Sequence, residues 1–389
     1  MPRPPRIAPA IDAIPGAIFS PLAHRIAHAT GEIFPLHVGD TWMEPCAGAR
    51  MEDLSVGAHP GMHRYTDTQG HPALIDALAQ KLRERNGIAA ERGSILVTAG
   101  ATGALAPAIG MLSEPGEEVL ILAPFWPLIR GIVQSARARP VEVPFFDRVG
   151  TAAEAVAAVR ARTTSRTVAL YVSSPSNPTA HVLPADWLEA LADFARREDL
   201  WLLSDEVYED YVYRGEHVSP ARFAPERTLS VFSFSKAYGM AGNRVGYLVG
   251  PPAAIAAARK VSTHSFYHPP TAGQLAALRA LEQGATWIEE AREAYRRAGD
   301  DAAARLGLGP PAGGTFLFLD VAPFLDARGL WGFLEDCLDD GVLLAPGASC
   351  GEDYPTWVRL CFSAAPPAQT AEAVRRLARR VGRSASGRG

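Results

Sequence analysis

Between Ile95 and Val249 the chain alternates short β-rich apolar runs with helical runs, and few architectures accept that pattern. Ile95–Thr98, Glu118–Leu122, Arg139–Val143, Thr167–Val172, Leu200–Ser204, Thr228–Phe232 and Val245–Val249 read as strands. Thr102–Leu112, Pro127–Ala136, Ala152–Arg162 and Pro184–Arg197 read as the helices between them. A strand followed by a helix returns to the sheet in the same direction, so the pairing is expected to be parallel. The expected fold class is therefore α/β, a mostly parallel seven-stranded sheet with helices on both faces. Ligands of such sheets sit beyond the carboxyl ends of the strands.

The loops at those ends carry the polar residues. Thr98-Ala-Gly100-Ala101-Thr102-Gly103 follows the first strand and opens a helix, whose free amides and dipole make an anion cradle. Pro124-Phe-Trp126, Ser174-Pro-Ser-Asn177-Pro178 and Ser204-Asp205-Glu206-Val-Tyr208 follow the second, fourth and fifth. After the sixth comes Ser233-Phe-Ser-Lys236-Ala-Tyr-Gly-Met-Ala-Gly-Asn-Arg244. Small residues around Lys236 let a planar group approach closely, and desolvation there lowers the amine's pKa toward that of a nucleophile. The planar fork of Arg244 suits a phosphate. Taken singly, each residue has an ordinary reading: a solvated lysine, a solvated Asp-Glu pair, a core tryptophan, an Asn-Pro turn. Their joint occurrence at successive strand ends argues for one site.

Beyond Pro251 the pattern changes to helices at Ala253–Lys260, Ala272–Glu282 and Thr286–Arg305. A mixed segment follows, with strands at Thr315–Asp320, Val342–Leu344 and Val358–Phe362 and helices at Leu330–Leu338 and Gln369–Val381. This reads as a smaller α+β domain, and Arg359 alternates with apolar neighbours on its last strand. Residues 1–46, with one short helix near Ser20–Ala29, read as an arm that joins the small domain. A helix from Pro72 to Arg85 opens the large domain. The expected division is 1–46 arm, 47–305 large domain, 306–382 small domain and 383–389 loose tail.

A formal charge of -4 and a pI near 6.2 give no basic field, which excludes nucleic acid as an expected partner. Prolines interrupt the first eighteen residues and no later apolar run spans a bilayer, so neither a secretory signal nor a membrane segment is expected. The expected location is the cytoplasm, with Cys46, Cys337, Cys350 and Cys361 reduced. The pairs His24/His28 and His59/His63 lack the further ligands of a metal site, and no metal is expected. Gly347-Ala-Ser349-Cys-Gly351 fits a serine-hydrolase elbow, but that order needs a later histidine and the last is His268. Ser233-Phe-Ser-Lys236 fits the penicillin-recognising S-x-x-K pattern, yet neither S-D-N nor K-T-G occurs.

From about Leu36 to Phe362 the ordered set of motifs resembles the class I and II aminotransferases, pyridoxal 5'-phosphate enzymes of fold type I. The resemblance implies a Schiff base on Lys236, Asp205 at the pyridine nitrogen, Tyr208 and Asn177 at the ring oxygen and Trp126 stacked on the ring. Arg244, Ser233, Gly100, Ala101, Thr102 and a Tyr65 donated by the partner of a homodimer would hold the phosphate. Gly39, Trp42, Asn177 and Arg359 would bind substrate, Arg359 gripping the α-carboxylate. The implied reaction moves an amino group from an L-amino acid to a 2-oxo acid. Lyases and cyclising β-elimination enzymes on the same scaffold remain open alternatives, as does, more remotely, a non-catalytic cofactor-binding regulator. Thr263-His-Ser-Phe-Tyr-His268-Pro-Pro270 lacks the arginine that dicarboxylate-specific members place there, which disfavours an acidic substrate side chain. Trp42 hints at an aromatic or medium apolar one.

Overall fold

The structure, a computed structural model, describes residues 5–16, 18 and 22–382. The expected tail 383–389, and the start of the helix expected near Ser20, lie outside the described residues.

Seven strands form the main sheet: β1 (Ile95–Thr98), β2 (Glu118–Ala123), β3 (Arg139–Pro144), β4 (Thr167–Ser173), β5 (Trp201–Asp205), β6 (Thr228–Ser233) and β7 (Gly246–Val249). Their order is β1-β7-β6-β5-β4-β2-β3. Every pair is parallel except those of β7, which runs antiparallel to β1 and to β6. β1, β2, β6 and β7 are buried along their whole length, and β4 and β5 at every residue but Val168 and Trp201. Helices on both faces supply that cover, which is why the strands read as continuous apolar runs rather than alternating ones.

Because β7 is reversed, its first residue sits at the edge where the parallel strands end. Gly246 pairs with Thr98 on one side and Ser233 on the other. A Cβ there would lie 2.7 Å from the Gly100 carbonyl carbon and 2.8 Å from the Phe232 carbonyl oxygen. Glycine is thus the residue that lets the loop after β1 close onto the sheet beside Ser233.

A second sheet, β8 (Phe316–Asp320), β10 (Trp357–Cys361) and β9 (Ala345–Pro346) in that order, is antiparallel. The strand expected at Val342–Leu344 is displaced to Ala345–Pro346. Val342 instead forms a lone parallel bridge to Phe34 of the arm; its N–H donates back to Cys337 O, while Leu343 N–H donates to Phe34 O, so this stretch is held by the preceding helix and the arm. Phe34 and Leu36 share one buried core with Phe316, Leu360, Val374 and Leu377.

Two helices differ from expectation. Pro252–Ser265 runs past Lys260 through Val261, Ser262 and Thr263, weak helix formers that packing against the 102–112 helix sustains; Val261 lies 3.6 Å from a Cβ built at Gly110. The helix begun at Pro72 is α-helical only to Lys81, then widens into a π turn over Leu82–Asn86. That turn aims Arg85 at Asp210 and Asn86 at Glu209, while Lys81 pairs with Glu209, bracing the segment after β5. No helix among the described residues is long and apolar enough to cross a membrane.

Gly246→Ala tests the close approach at the sheet edge. It is expected to cost about 1–3 kcal/mol in urea unfolding, with the midpoint falling and the denaturant slope unchanged.

Candidate active site

Five strand-end loops, β10 and the arm converge on one cavity at the carboxyl edge of the main sheet. Its walls include Gly39, Ala101, Thr102, Trp126, Asn177, Asp205, Tyr208, Ser233, Lys236, Arg244 and Arg359. The sequence thus placed eleven of its expected residues on one wall set. Gly100, Tyr65 and Trp42 do not line it. Gly100, at φ +69°, lies behind Arg244, whose Nη2 would be 2.6 Å from an added Cβ. Tyr65 is 83% exposed and packs edge-on against Tyr267 and His268. Trp42 is half-exposed, its backbone N–H donating to Ser363 O.

Lys236 sits in a four-residue helix, Phe234–Ala237, begun by Ser233, whose hydroxyl accepts the Ser235 N–H at 3.0 Å. The lysine Nζ donates to Gly39 O on the arm. Burial pulls its pKa below the ordinary lysine value, and Arg244 and Arg359 pull it further, against the opposing charges of Asp40 and Cys361.

Arg244 has φ +54° and donates to Ala241 O at 2.9 Å and Ala99 O at 3.1 Å. The left-handed backbone turns its fork back toward the 99–101 loop. Ala101 and Thr102, at the start of the 102–112 helix, line the same cavity as Arg244, and a helix start favours an anion. Arg359, on β10, is buried and donates to Asn177 Oδ1 and to His37 O, both at 3.0 Å. Its guanidinium stacks 4.6 Å above the Phe316 ring, and its Nε is buried without a partner.

Lys236, Arg244 and Arg359 therefore donate to neutral oxygens, with the Arg359 Nε left over. Among the described residues no carboxylate forms an ion pair with any of them. At the opposite end lies Asp205, buried at the end of β5. Its Oδ2 accepts the Tyr171 hydroxyl at 2.6 Å and its Oδ1 the Val207 N–H at 3.3 Å. Burial pushes its pKa up to about 6, beyond what those two donors restore. Among the described residues no cation pairs with it either. Tyr208, three residues on, stands edge-on to Phe316 at 5.7 Å, and burial raises its pKa well above the phenolic range.

The cavity also uses residues that sequence reasoning missed. Ser173, Val207, Ser235 and Ala241 line it, and Tyr171 stands behind Asp205. Tyr171 had one legible signal, a phenol within the apolar run Thr167–Val172. Nothing marked Phe316 or His37. The Ser349 of the hydrolase-like motif donates to Pro346 O at 2.7 Å in a 3-10 turn and does not line the cavity.

Comparison with known proteins fits this geometry. Residues 32–377 match the family described as aminotransferase class I and II. The chain is 38% identical over 336 residues to the aspartate/prephenate aminotransferase of Thermus thermophilus, covering 83% of this chain and 85% of that one. It is 36% identical over 344 residues to the arginine–pyruvate transaminase of Pseudomonas aeruginosa, covering 85% of each. The solved aspartate aminotransferase of Thermus thermophilus with maleate superposes with a TM-score of 0.87 at 33% identity, over 97% of this chain and 100% of that one. With three unpaired cations and a buried carboxyl facing one cavity, and with that match across most of its length, the chain belongs to the class I and II aminotransferases.

Proposed function

We propose that the cavity holds pyridoxal 5'-phosphate together with an L-amino acid, and that Lys236 carries the proton that moves as the amino group passes to a 2-oxo acid. The observation that carries this reading is the set of three cations left without carboxylate partners opposite a buried carboxyl left without a cation. Such a set is complementary to a ligand with a phosphate, a second anionic head and a protonated ring nitrogen.

Arg244, Ser233 and the amides of Ala101 and Thr102 would take the phosphate, because they pool hydrogen-bond donors and positive potential in one corner. Asp205 would hold the ring nitrogen protonated, and that cation would in turn return its carboxyl to the ionised form. Tyr208 and Asn177 would donate to the ring oxygen, and Trp126 would cover one ring face. Arg359, its fork already fixed by Asn177 and His37 O, would receive the substrate carboxylate through two parallel bonds. Pyridoxal phosphate, when bound, supplies an aldehyde that takes the amino group and a ring that draws off the electrons left as Cα loses its proton. The lowered pKa of Lys236 leaves more of its Nζ neutral near pH 7, where it can take the Cα proton as base and give it back as acid.

Tyr65 reaches no part of this cavity, which supports a homodimer in which it serves the second copy. The four free thiols and the lack of a membrane-crossing helix among the described residues support a cytoplasmic enzyme. Its amino donor is read only as far as the α-carboxylate that Arg359 would bind.

Four measurements test this reading. With pyridoxal phosphate, Lys236→Ala is expected to lose the visible absorbance that wild type shows and to lose turnover by about 10²–10⁴-fold; a coloured adduct that borohydride still reduces in the variant sinks the assignment. Products matter as well, because ammonia release without pyridoxamine phosphate would place the enzyme among the lyases. For Asp205, the raised pKa means that the folded state keeps the proton longer than the unfolded one, so its contribution to stability falls as pH rises from the ordinary 3.8 to about 6. In cofactor-free protein the stability gain of Asp205→Asn over wild type should widen across that window, by about 2–3 kcal/mol, and stay level above it. A gap independent of pH would refute the burial argument. Sedimentation equilibrium should show a dimer, and a monomer with full activity would remove Tyr65 from the site.

A further inference from the structure

β5 ends on Asp205 and leads straight into the segment that carries Tyr208, and the short helix after β6 carries Lys236. Their strands are hydrogen-bonded neighbours, but the loops leave the sheet separately. One side chain ties them together. Tyr211 is fully buried, and its hydroxyl lies 2.8 Å from Lys236 O and 3.0 Å from Ala237 O. A phenol has one proton, so it donates to one of these carbonyls at a time. Helix Phe234–Ala237 is a single turn, and its closing carbonyls have few intrahelical donors. Gly239 N–H reaches Lys236 O only at 3.3 Å, so the phenol acts as the cap of the turn that holds the lysine.

The Tyr211 end is equally fixed. Its ring meets the Tyr295 ring edge-on at 5.2 Å and 90°, and its N–H donates to Tyr208 O at 2.9 Å. Tyr208 and Tyr211 therefore belong to one braced turn. Burial holds the phenol protonated far above neutral pH, so the donor persists.

We infer that Tyr211 is a positioning residue, a cross-tie that sets the backbone of Lys236 at a constant distance from the segment bearing Asp205 and Tyr208. This rests on the function proposed above. The amine at the end of a four-carbon stem is only as well placed as its backbone, and misplacement by about 1 Å can cost on the order of 10²-fold in rate. Loss of the tie should act on the proton-moving step and leave the carboxylate grip of Arg359 intact.

The test pairs Tyr211→Phe with Tyr213→Phe. Tyr213 belongs to the same segment and its hydroxyl donates to Gly314 O at 2.7 Å, a comparable hydrogen bond that does not touch Lys236. Tyr211→Phe is expected to lower kcat about tenfold or more with the KM for the amino donor within about twofold. It should also slow the attachment of pyridoxal phosphate to cofactor-free protein, read from visible absorbance and from borohydride trapping at Lys236. Tyr213→Phe, with a similar fall in Tm, should leave both rates within about twofold of wild type. Equal rates in the two variants overturn the inference, and so does a Tyr211→Phe effect confined to KM. If the phenylalanine variant does not fold, Tyr211→Met, which fills the space without a donor, takes its place in the same comparison. A trapped adduct that persists in Lys236→Ala would instead mark failure of the proposed function, whatever Tyr211 does.

Discussion

Three cations face one cavity and none of them forms an ion pair with a carboxylate among the described residues. Buried Arg359 and largely covered Lys236 lose hydration and like charges repel, a combination that usually drives side chains toward acidic partners. Here the compensation comes from neutral oxygens: Gly39 O for Lys236, Ala99 O and Ala241 O for Arg244, His37 O and the Asn177 amide for Arg359. These contacts satisfy donors without cancelling charge, so the positive potential remains for anionic ligands. Burial lowers the Lys236 pKa, and the two arginines add to it. Recognition and proton chemistry thus draw on one electrostatic arrangement.

That arrangement depends on the reversed strand. Were β7 parallel to its neighbours, the turn from Lys236 to Arg244 would have to cross the sheet before returning. As an antiparallel strand between β1 and β6, it begins at the ligand edge, so Arg244 precedes it beside both the 99–101 loop and Ser233. Gly246 permits the approach because any side chain would meet backbone on two sides. The arm and the second sheet supply the remainder, Gly39 and His37 from one and Arg359 from the other.

Much of the fold was legible because buried parallel strands leave an unmistakable pattern, apolar runs separated by helices. Asp205, Asn177, Lys236 and Arg244 were legible because polar residues in small-residue loops at strand ends have few other reasons to cluster. Errors arose where tertiary contacts overrode local preference. Val342–Leu344 has strand composition, but the arm and the preceding helix took its hydrogen bonds; Val261–Thr263 disfavours helix, but packing against a neighbouring helix kept it helical. Phe316 and His37 carried no signal, since an aromatic under a guanidinium and a backbone acceptor are defined by what faces them. Trp42 follows Gly39 closely in the chain, yet only Gly39 lines the cavity, and the Trp42 backbone is tied to Ser363 O.

The sequence by itself determined the alternation of strand and helix, the chemistry available at each strand end and the absence of a basic field for polyanions. Those follow from composition and periodicity, which act along the chain. Only the tertiary structure decided which charges would go unpaired, which carboxyl would be buried beside a phenol, and that Tyr211 would cap the lysine's turn. Pairing and desolvation depend on distances between residues far apart in the chain, and no local pattern encodes those distances.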